Sequence, residues 1–359
     1  MRAQRDVRLF WAAVRACDMD EQMDRCANLT PPVPPLRAIS AAEIARFNAD
    51  GVVCLRGLFQ VRWVEALARF VEQIARDPAQ LRGAAVPPTT FLGDSFLWKT
   101  FDECRDFAYG SPAAHIAQQL LGSQRINLLF DQLFVKPAGC AVATPWHHDH
   151  TFWPLSGTQI MTIWMALGDI KSDNSALEFV RGSHRWGKRY KAVRPDRLAY
   201  LLESALDDPP DVEARRSDYD IVSWDMEPGD VLAFDAFVLH GSPANHSIVS
   251  RHAFATRWAG DDVRFAPGPA TMPLNWRHGL RPGSPLGGPL FPQILPRPLA
   301  HELGSRAYGP EPRDPELLAA TRRLYQEAEL RQRKGSDAKQ APVGADGSRF
   351  RGEAPASDE

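Results

Sequence analysis

The chain has 359 residues, of which 44% are hydrophobic and 24% charged, as is ordinary for a globular protein. This length suits one large domain or two domains of common size. The formal net charge is −2, from 42 basic and 44 acidic residues. Such a balance gives no electrostatic basis for binding nucleic acid or an anionic membrane surface, so neither partner is expected.

Cysteine content and apolar runs bear on the cellular location. Five cysteines without a CxxC pair argue against a disulfide framework and favour reduced thiols. The first residues form no apolar run of signal-peptide length. Nothing approaches the roughly 18 apolar residues of a membrane-spanning helix. We therefore expect a cytoplasmic protein without a membrane span, as a monomer or a homodimer.

The first third of the chain has helical periodicity. Apolar residues at helical spacing predict a helix within 1–29, and the prolines of 31–35 end it and form a stiff linker. We interpret 1–37 as an N-terminal extension. Ser40 followed by Glu43 predicts a capping box at the start of the next helix. The following predicted elements are a strand at 52–55 and helices at 61–76 and 111–122.

From residue 125 onward, short segments rich in β-branched and aromatic residues alternate with turn residues. Helices followed by many short strands predict a helical flank on an antiparallel sandwich or jelly roll. The Pro- and Gly-rich part at 263–313 is expected to be irregular. A C-terminal helix is predicted at 314–334 and a disordered tail at 335–359. The predicted strands lie at 125–136, 158–167, 175–180, 219–224, 231–237 and 252–260.

The segment Thr144-Pro-Trp-His147-His148-Asp149-His150 is the most informative one. His147 and Asp149 are two residues apart, so on a strand both side chains lie on one face. Far downstream, His240 is expected at the end of an apolar strand. Two histidines and one carboxylate occupy one face of an octahedral iron(II) and leave positions open for cosubstrate and dioxygen. The alternatives are a polar strand end without metal and a zinc site, although structural zinc commonly takes four ligands including cysteine.

Arg251 follows His240 by eleven residues and begins another predicted strand. A buried guanidinium there needs an anion, because an unpaired buried charge is unfavourable. The distal carboxylate of a dicarboxylic cosubstrate suits it, since a planar guanidinium holds a carboxylate through two parallel hydrogen bonds. The alternative is an exposed or salt-bridged arginine, which is the usual state of this residue type.

Several motifs occur together in one order and spacing. They are Asp131-Gln-Leu-Phe-Val-Lys136-Pro, Pro145-Trp-His-His-Asp149, Asp173-Asn-Ser-Ala-Leu-Glu-Phe-Val-Arg-Gly182-Ser-His184 and His240-Gly-Ser242. Over residues 38–262 the chain resembles the phytanoyl-CoA dioxygenase (PhyH) family. The resemblance implies a mainly β fold with flanking helices and a double-stranded β-helix (jelly-roll, cupin-like) core. It also implies iron(II), 2-oxoglutarate and dioxygen, used by a dioxygenase domain at 38–313.

The resemblance assigns roles by position. His147, Asp149 and His240 would hold the iron and form the catalytic set. Arg251 and Ser242 would bind the distal carboxylate of 2-oxoglutarate, while a tryptophan would wall its pocket. The complete set of predicted cosubstrate-binding residues is Arg251, Ser242, Trp164, Gln132 and Lys99.

The expected reaction is hydroxylation of a small organic substrate, lipid-like or a secondary metabolite, with release of succinate and carbon dioxide. Asp149 favours this outcome, because in the halogenating relatives a small residue replaces the carboxylate. Desaturation, cyclisation or epimerisation with the same cofactors stays open, as does a catalytically inactive jelly-roll binding protein. His184 is interpreted as structural. Ser175 stands where many members of the family have glycine, a departure that we expect to matter little.

Overall fold

The structure of the protein is a computed structural model. The predicted helix within 1–29 and the predicted tail at 335–359 lie outside the described residues, as does most of the predicted C-terminal helix, of which 315–320 is helical. Within the described part of the chain, no helix is both long and apolar enough to cross a membrane. The residues that the structure describes are 30–82, 91–192, 206–268, 271–299, 314–320 and 323.

The helices precede most of the strands. They are α1 (Ala41–Asp50), α2 (Val61–Arg76), α3 (Ala79–Arg82), α4 (Asp102–Gly110) and α5 (Ala113–Leu121). The capping box of α1 is confirmed, because the Glu43 amide donates to Ser40 Oγ at 3.2 Å and the Ser40 amide donates to the Glu43 carboxylate at 2.8 Å. Helix α5 begins after Pro112, which is its N-cap and not its first helical residue, and it ends at Gly122 as predicted.

The larger sheet has seven antiparallel strands. Its longest ladder joins the third and eleventh strands, from Arg251 opposite Lys136 to Ala259 opposite Asn127. In spatial order the strands are β1 (Val52–Leu55), β9 (Val231–Asp235), β6 (Ile160–Ala166), β11 (Arg251–Ala259), β3 (Ile126–Lys136) and β13 (Gln293–Leu295), and β2 (Leu92–Ser95) also pairs with β3.

A smaller sheet of four antiparallel strands faces the larger one. In spatial order it contains β4 (Thr144–His147), β10 (His240–Ser242), β7 (Glu178–Val180) and β8 (Ile221–Val222). A separate two-stranded pair consists of β5 (Leu155–Ser156) and β12 (Arg264–Phe265). The part at 263–313 is therefore not wholly irregular as predicted, since β12 and β13 lie in it.

The two faces of the larger sheet bury different cores. Helices α2, α4 and α5 cover the outer face, where Leu67 of α2 joins Leu133 and Phe254 of the sheet. On the inner face, Trp164 of β6 packs in one cluster with Phe179 of the smaller sheet. The two sheets enclose this second core without closing into a barrel. This is the predicted mainly β, jelly-roll architecture with flanking helices.

Candidate metal centre and cosubstrate pocket

His147 and His240 are neighbours across the ladder between β4 and β10. They are register partners, and their ring centroids are 4.3 Å apart. The predicted position of His240 was wrong, because it begins β10 and does not end the preceding strand. β9 stops at Asp235, and a turn then carries the chain from the larger to the smaller sheet.

Asp149 reaches the two histidines by a route that strand alternation does not describe. β4 ends at His147, and Asp149 has a helical backbone (φ −74°, ψ −34°) at the start of a 3-10 turn. The expectation that both side chains share one face of a strand was therefore wrong. The turn nevertheless brings Asp149 Oδ1 to 3.6 Å from His147 Nε2. One ligand atom from each of His147, Asp149 and His240 lies within 4.8 Å of the others.

The two imidazole rings are oriented by the backbone. Nδ1 of His147 donates to the Pro145 carbonyl oxygen at 2.8 Å. Nδ1 of His240 donates to the Val238 carbonyl oxygen at 3.1 Å. A carbonyl oxygen only accepts, so these bonds place the proton on Nδ1 and leave Nε2 with a lone pair. This is the tautomer that a metal-binding histidine needs.

The protonation states of Asp149 and His240 also suit a metal. Burial alone would raise the pKa of Asp149, but the adjacent His147 imidazole and the positive charge of Arg257 hold that pKa below the usual range. Burial and the nearby His147 lower the pKa of His240 to about 4. Near neutral pH the site therefore has an ionised carboxylate and a neutral His240 imidazole, the forms that coordinate metals.

The donor set fits iron(II). Among the described residues, the group able to hold a metal contains two histidines and one carboxylate, without cysteine. A structural zinc site commonly has a closed shell of four ligands. Three ligands on one side leave positions open, which is what a non-haem iron centre requires.

Arg251 lies at the start of β11 on the inner face. It is 2% exposed, and its Nη1 donates to the Ser175 carbonyl oxygen at 2.6 Å. Its Nε has no hydrogen-bond partner. The Trp164 ring lies 5.4 Å from the Arg251 Cζ atom. Burial lowers the pKa of Arg251 to about 10, so the group is still cationic at neutral pH.

Lys136 lies opposite Arg251 and is fully buried. Its Nζ donates to Ser175 Oγ at 2.9 Å, to Ser242 Oγ at 3.0 Å and to the Pro243 carbonyl oxygen at 2.9 Å. Ser175 has a positive φ of 74°. Its hydroxyl, which a glycine would lack, accepts a hydrogen bond from Lys136, and its backbone carbonyl accepts one from Arg251. The expectation that the departure from glycine matters little stays a prediction. Two buried cations thus share one cluster of oxygen acceptors.

The other predicted cosubstrate residues lie at different places. Gln132 is on β3, four residues before Lys136 and on the same face of the strand, opposite Ala255. Lys99 ends a 3-10 turn and is 1% exposed, with Nζ over the Trp98 ring at 4.5 Å from its centroid. Trp98 belongs to the core under the helices. The assignment of Lys99 to the cosubstrate stays a prediction.

Neighbouring histidines have contacts of their own. The Tyr190 amide donates to His148 Nε2 at 2.9 Å. His184 Nε2 donates to the Asn48 carbonyl oxygen at 3.2 Å, near the C-terminal end of α1. These contacts agree with a structural interpretation of His184.

Two further residues lie near the metal triad, which consists of His147, Asp149 and His240, and neither was predicted from the sequence. Thr162 of β6 donates from Oγ1 to Asp149 Oδ2 at 3.4 Å. Arg257 of β11 is 4% exposed and contributes to the electrostatics of Asp149. A signal for Arg257 was present, because it follows Arg251 by an even number of residues and must share its face of the strand.

An antiparallel jelly roll with two histidines and one carboxylate at its inner face defines the class of non-haem iron oxygenases. The family model for phytanoyl-CoA dioxygenase (PhyH) matches residues 47–253, more than half of the chain. The chain belongs to the phytanoyl-CoA dioxygenase family. It is accordingly a 2-oxoglutarate-dependent dioxygenase, with iron(II) and 2-oxoglutarate as cofactor and cosubstrate.

Individual relatives and solved structures agree with this membership. The ectoine dioxygenase of Bordetella bronchiseptica is 26% identical over 222 residues, which cover 58% of this chain and 72% of the relative. The carbocyclase SnoK from nogalamycin biosynthesis superposes with a TM-score of 0.58 at 20% identity, over 73% of this chain and 99% of that chain. EctD from S. alaskensis, with 2-oxoglutarate and 5-hydroxyectoine, gives 0.53 at 20% identity, over 72% and 92%. At these identities the superpositions show the fold.

Proposed function

We propose that the protein hydroxylates a small organic substrate at an iron(II) held by His147, Asp149 and His240. The convergence of three ligand atoms within 4.8 Å is the observation that supports this most. The Nδ1 bonds to backbone carbonyls support it further, since they fix both rings with Nε2 available. Iron(II) with 2-oxoglutarate supplies an oxidant generated from dioxygen, while 2-oxoglutarate loses carbon dioxide and becomes succinate.

Arg251 is proposed to bind the distal carboxylate of 2-oxoglutarate, together with Ser242. The free Nε of a buried guanidinium supports this assignment, because such a group lacks the anion that its burial requires. Trp164 stacks against Arg251 and would exclude water from the pocket. Gln132, on the same face of β3 as Lys136, is proposed to approach the cosubstrate from the side.

Other outcomes of the same cofactor chemistry depend on how the substrate lies. Two structurally similar proteins are named a carbocyclase (SnoK) and an epimerase (SnoN), so the fold also accommodates these outcomes. Mass spectrometry of the product separates the alternatives. Hydroxylation adds one oxygen atom, desaturation or cyclisation removes two hydrogens, and epimerisation leaves the mass unchanged. A protein that never decarboxylates 2-oxoglutarate would instead be a binding protein.

Anaerobic titration of the apoprotein with iron(II) and 2-oxoglutarate tests the cofactor site. The chelate gives a weak visible charge-transfer band, which we expect in the wild type and not in Asp149→Ala. The exposed carboxylate of Asp225, changed to alanine, serves as the control and should leave the band intact. A folded wild-type protein that binds metal without showing the band would contradict the proposal.

Assembly and location belong to the same proposal. We infer a cytoplasmic enzyme, monomeric or homodimeric, acting on a small molecule. Cys54, Cys104 and Cys140 are free thiols, which supports a reducing compartment. Size-exclusion chromatography with light scattering would decide between monomer and dimer.

A further inference from the structure

Arg257 is a second buried arginine on β11, and the function proposed above does not use it. It follows Arg251 by six residues, so both side chains lie on the inner face of the larger sheet. Its register partner on β6 is Thr162, whose hydroxyl contacts Asp149 at 3.4 Å. Arg257 is therefore the cross-strand neighbour of a residue that contacts Asp149 of the metal triad.

The guanidinium of Arg257 is buried without a hydrogen-bonded anion among the residues that the structure describes. The residue is 4% exposed, and neither Nε nor Nη1 has a hydrogen-bond partner. Asp149 and Asp131 act on it only through space. The Phe130 and Phe134 rings lie 4.7 and 5.6 Å from its Cζ atom.

Ring stacking compensates only part of this burial. A cation over an aromatic face is attracted by the ring, yet a buried charge without hydrogen bonds stays unfavourable. Two other buried arginines on the same chain show the contrast. Arg105 pairs with Asp102, and Arg251 donates to the Ser175 carbonyl oxygen. Arg257 has neither kind of partner, so its surroundings fit an anion that comes from outside the chain.

We propose that Arg257 binds a carboxylate beside the metal triad, either that of an acidic organic substrate or the C1 carboxylate of 2-oxoglutarate. The inference rests on the proposed function. A carboxylate is favoured because the planar guanidinium matches it with two parallel hydrogen bonds. Arg251 and Arg257 have Cα atoms about 20 Å apart along the strand. The two arginines therefore bind different groups, and the distal carboxylate stays with Arg251.

Calorimetric titration of 2-oxoglutarate into the full-length, iron(II)-loaded protein without oxygen tests one source of the carboxylate. If the C1 carboxylate is the ligand, Arg257→Met weakens binding at least about 30-fold, equivalent to about 2 kcal/mol. Arg257→Lys keeps the positive charge but cannot form two parallel hydrogen bonds, so it weakens 2-oxoglutarate binding less than Arg257→Met does. If an acidic substrate is the ligand, the affinity of Arg257→Met stays within about twofold of the wild type.

Phenylacetate and phenylacetamide test the other source, because they differ in charge and little in shape. Their binding is followed by ligand-detected NMR with 2-oxoglutarate at saturation. An acidic substrate site predicts that the wild type prefers phenylacetate and that Arg257→Met loses this preference. If the wild type shows no preference and its affinity for 2-oxoglutarate does not depend on Arg257, the proposal is wrong.

Thermal unfolding of the apoprotein separates binding from a structural role. Replacing an unpaired buried charge by an apolar side chain of similar length is often stabilising. Arg257→Met should then raise the unfolding midpoint by roughly 2–4 °C. A lowered midpoint with unchanged carboxylate binding would make Arg257 purely structural. If the wild type binds no 2-oxoglutarate, the proposed function is contradicted. If the wild type binds 2-oxoglutarate with an affinity that does not depend on Arg257, and shows no preference for phenylacetate, this inference alone is contradicted.

Discussion

The inner face of the larger sheet has three almost fully buried basic side chains, Arg251, Arg257 and Lys136. Lys136 has three oxygen acceptors around Nζ, whereas both arginines retain a nitrogen without a partner. Burying several such side chains in their charged form is unfavourable unless anions accompany them. A dicarboxylic cosubstrate supplies such anions, and the electrostatics of the apoprotein are therefore incomplete without it.

Replacing Arg251 by methionine should weaken 2-oxoglutarate binding by about 2–5 kcal/mol, because the distal carboxylate then lies in a buried site without its partner. Anaerobic isothermal titration calorimetry of the iron(II)-loaded protein measures this. Arg76, which is largely exposed, provides the matched control as Arg76→Met. Equal affinities for 2-oxoglutarate in Arg251→Met and the wild type would contradict the assignment of Arg251 to the distal carboxylate.

We expect Lys136 to make cosubstrate binding dependent on pH. Burial and the charge of Arg251 lower the pKa of Lys136 to about 7. Above that pH the lysine is largely neutral in the absence of 2-oxoglutarate. A carboxylate bound nearby favours the ammonium form and raises the pKa, so binding takes up a proton. The affinity for 2-oxoglutarate should consequently fall as pH rises above about 7.

Calorimetry in two buffers with different ionisation enthalpies detects this proton uptake. At pH 8 the apparent binding enthalpy should differ between the buffers for the wild type. Lys136→Met removes the titrating group and should abolish the difference. Uptake of the same size in Lys136→Met would assign the proton to another group.

Two helices end at glycines with a left-handed backbone, and the space around the two glycines differs. α1 ends at Gly51 with φ +78°, and a Cβ there would lie 2.4 Å from His184 Nδ1. α5 ends at Gly122 with φ +60°, where a Cβ would meet no atom within 4 Å. The two caps thus share a left-handed backbone and differ in the space around them.

Gly51→Ala should therefore destabilise the protein more than Gly122→Ala. A left-handed alanine costs roughly 1–2 kcal/mol, and this is the whole effect expected at Gly122. At Gly51 the displacement of His184 adds to it. Chemical denaturation measures both variants. In a His184→Ala background, the further loss caused by Gly51→Ala should fall to that of Gly122→Ala. Equal losses in the two single variants would show that His184 moves aside freely.

Elements with long, regular patterns were predictable from the sequence, and short ones were not. β3, β6 and β11 lie within a few residues of their predicted bounds because each is a long segment rich in β-branched and aromatic residues. β13 has three residues between prolines, and only its pairing with β3 makes it a strand. Such pairing joins distant segments and leaves no local pattern.

The proposed metal site was likewise predictable only in part. The residue types of the triad followed from the sequence motif, and the structure brings His147, Asp149 and His240 together. The local geometry was wrong at Asp149, because a strand end and the start of a 3-10 turn look alike in a run of polar residues. The contacts of Ser175 could not be predicted, because they come from Lys136 and Arg251, which are remote in sequence.

For the whole molecule, metal binding should stabilise the fold. The proposed ligands belong to β10 and to the segment around β4, which are far apart in the chain. An ion that binds only the folded protein contributes about 2.7 kcal/mol at a hundredfold excess over its dissociation constant. The thermal midpoint of the wild type should rise with iron(II) under anaerobic conditions and return when a chelator removes it.

Asp149→Ala should lose most of this shift, whereas Asp225→Ala, which removes an exposed carboxylate, should retain it. Differential scanning fluorimetry with and without the metal gives the comparison. A shift of equal size in Asp149→Ala would place the stabilising ion elsewhere on the molecule.

The register of the β4–β10 ladder has a consequence for molecules that fold incorrectly. His147 and His240 face each other only in the native pairing. A slip by one residue turns one of the two rings to the opposite face of the sheet. A misregistered chain then lacks one of the proposed iron ligands. Errors of strand pairing would therefore yield chemically silent molecules, and not damaged enzymes that activate dioxygen without control.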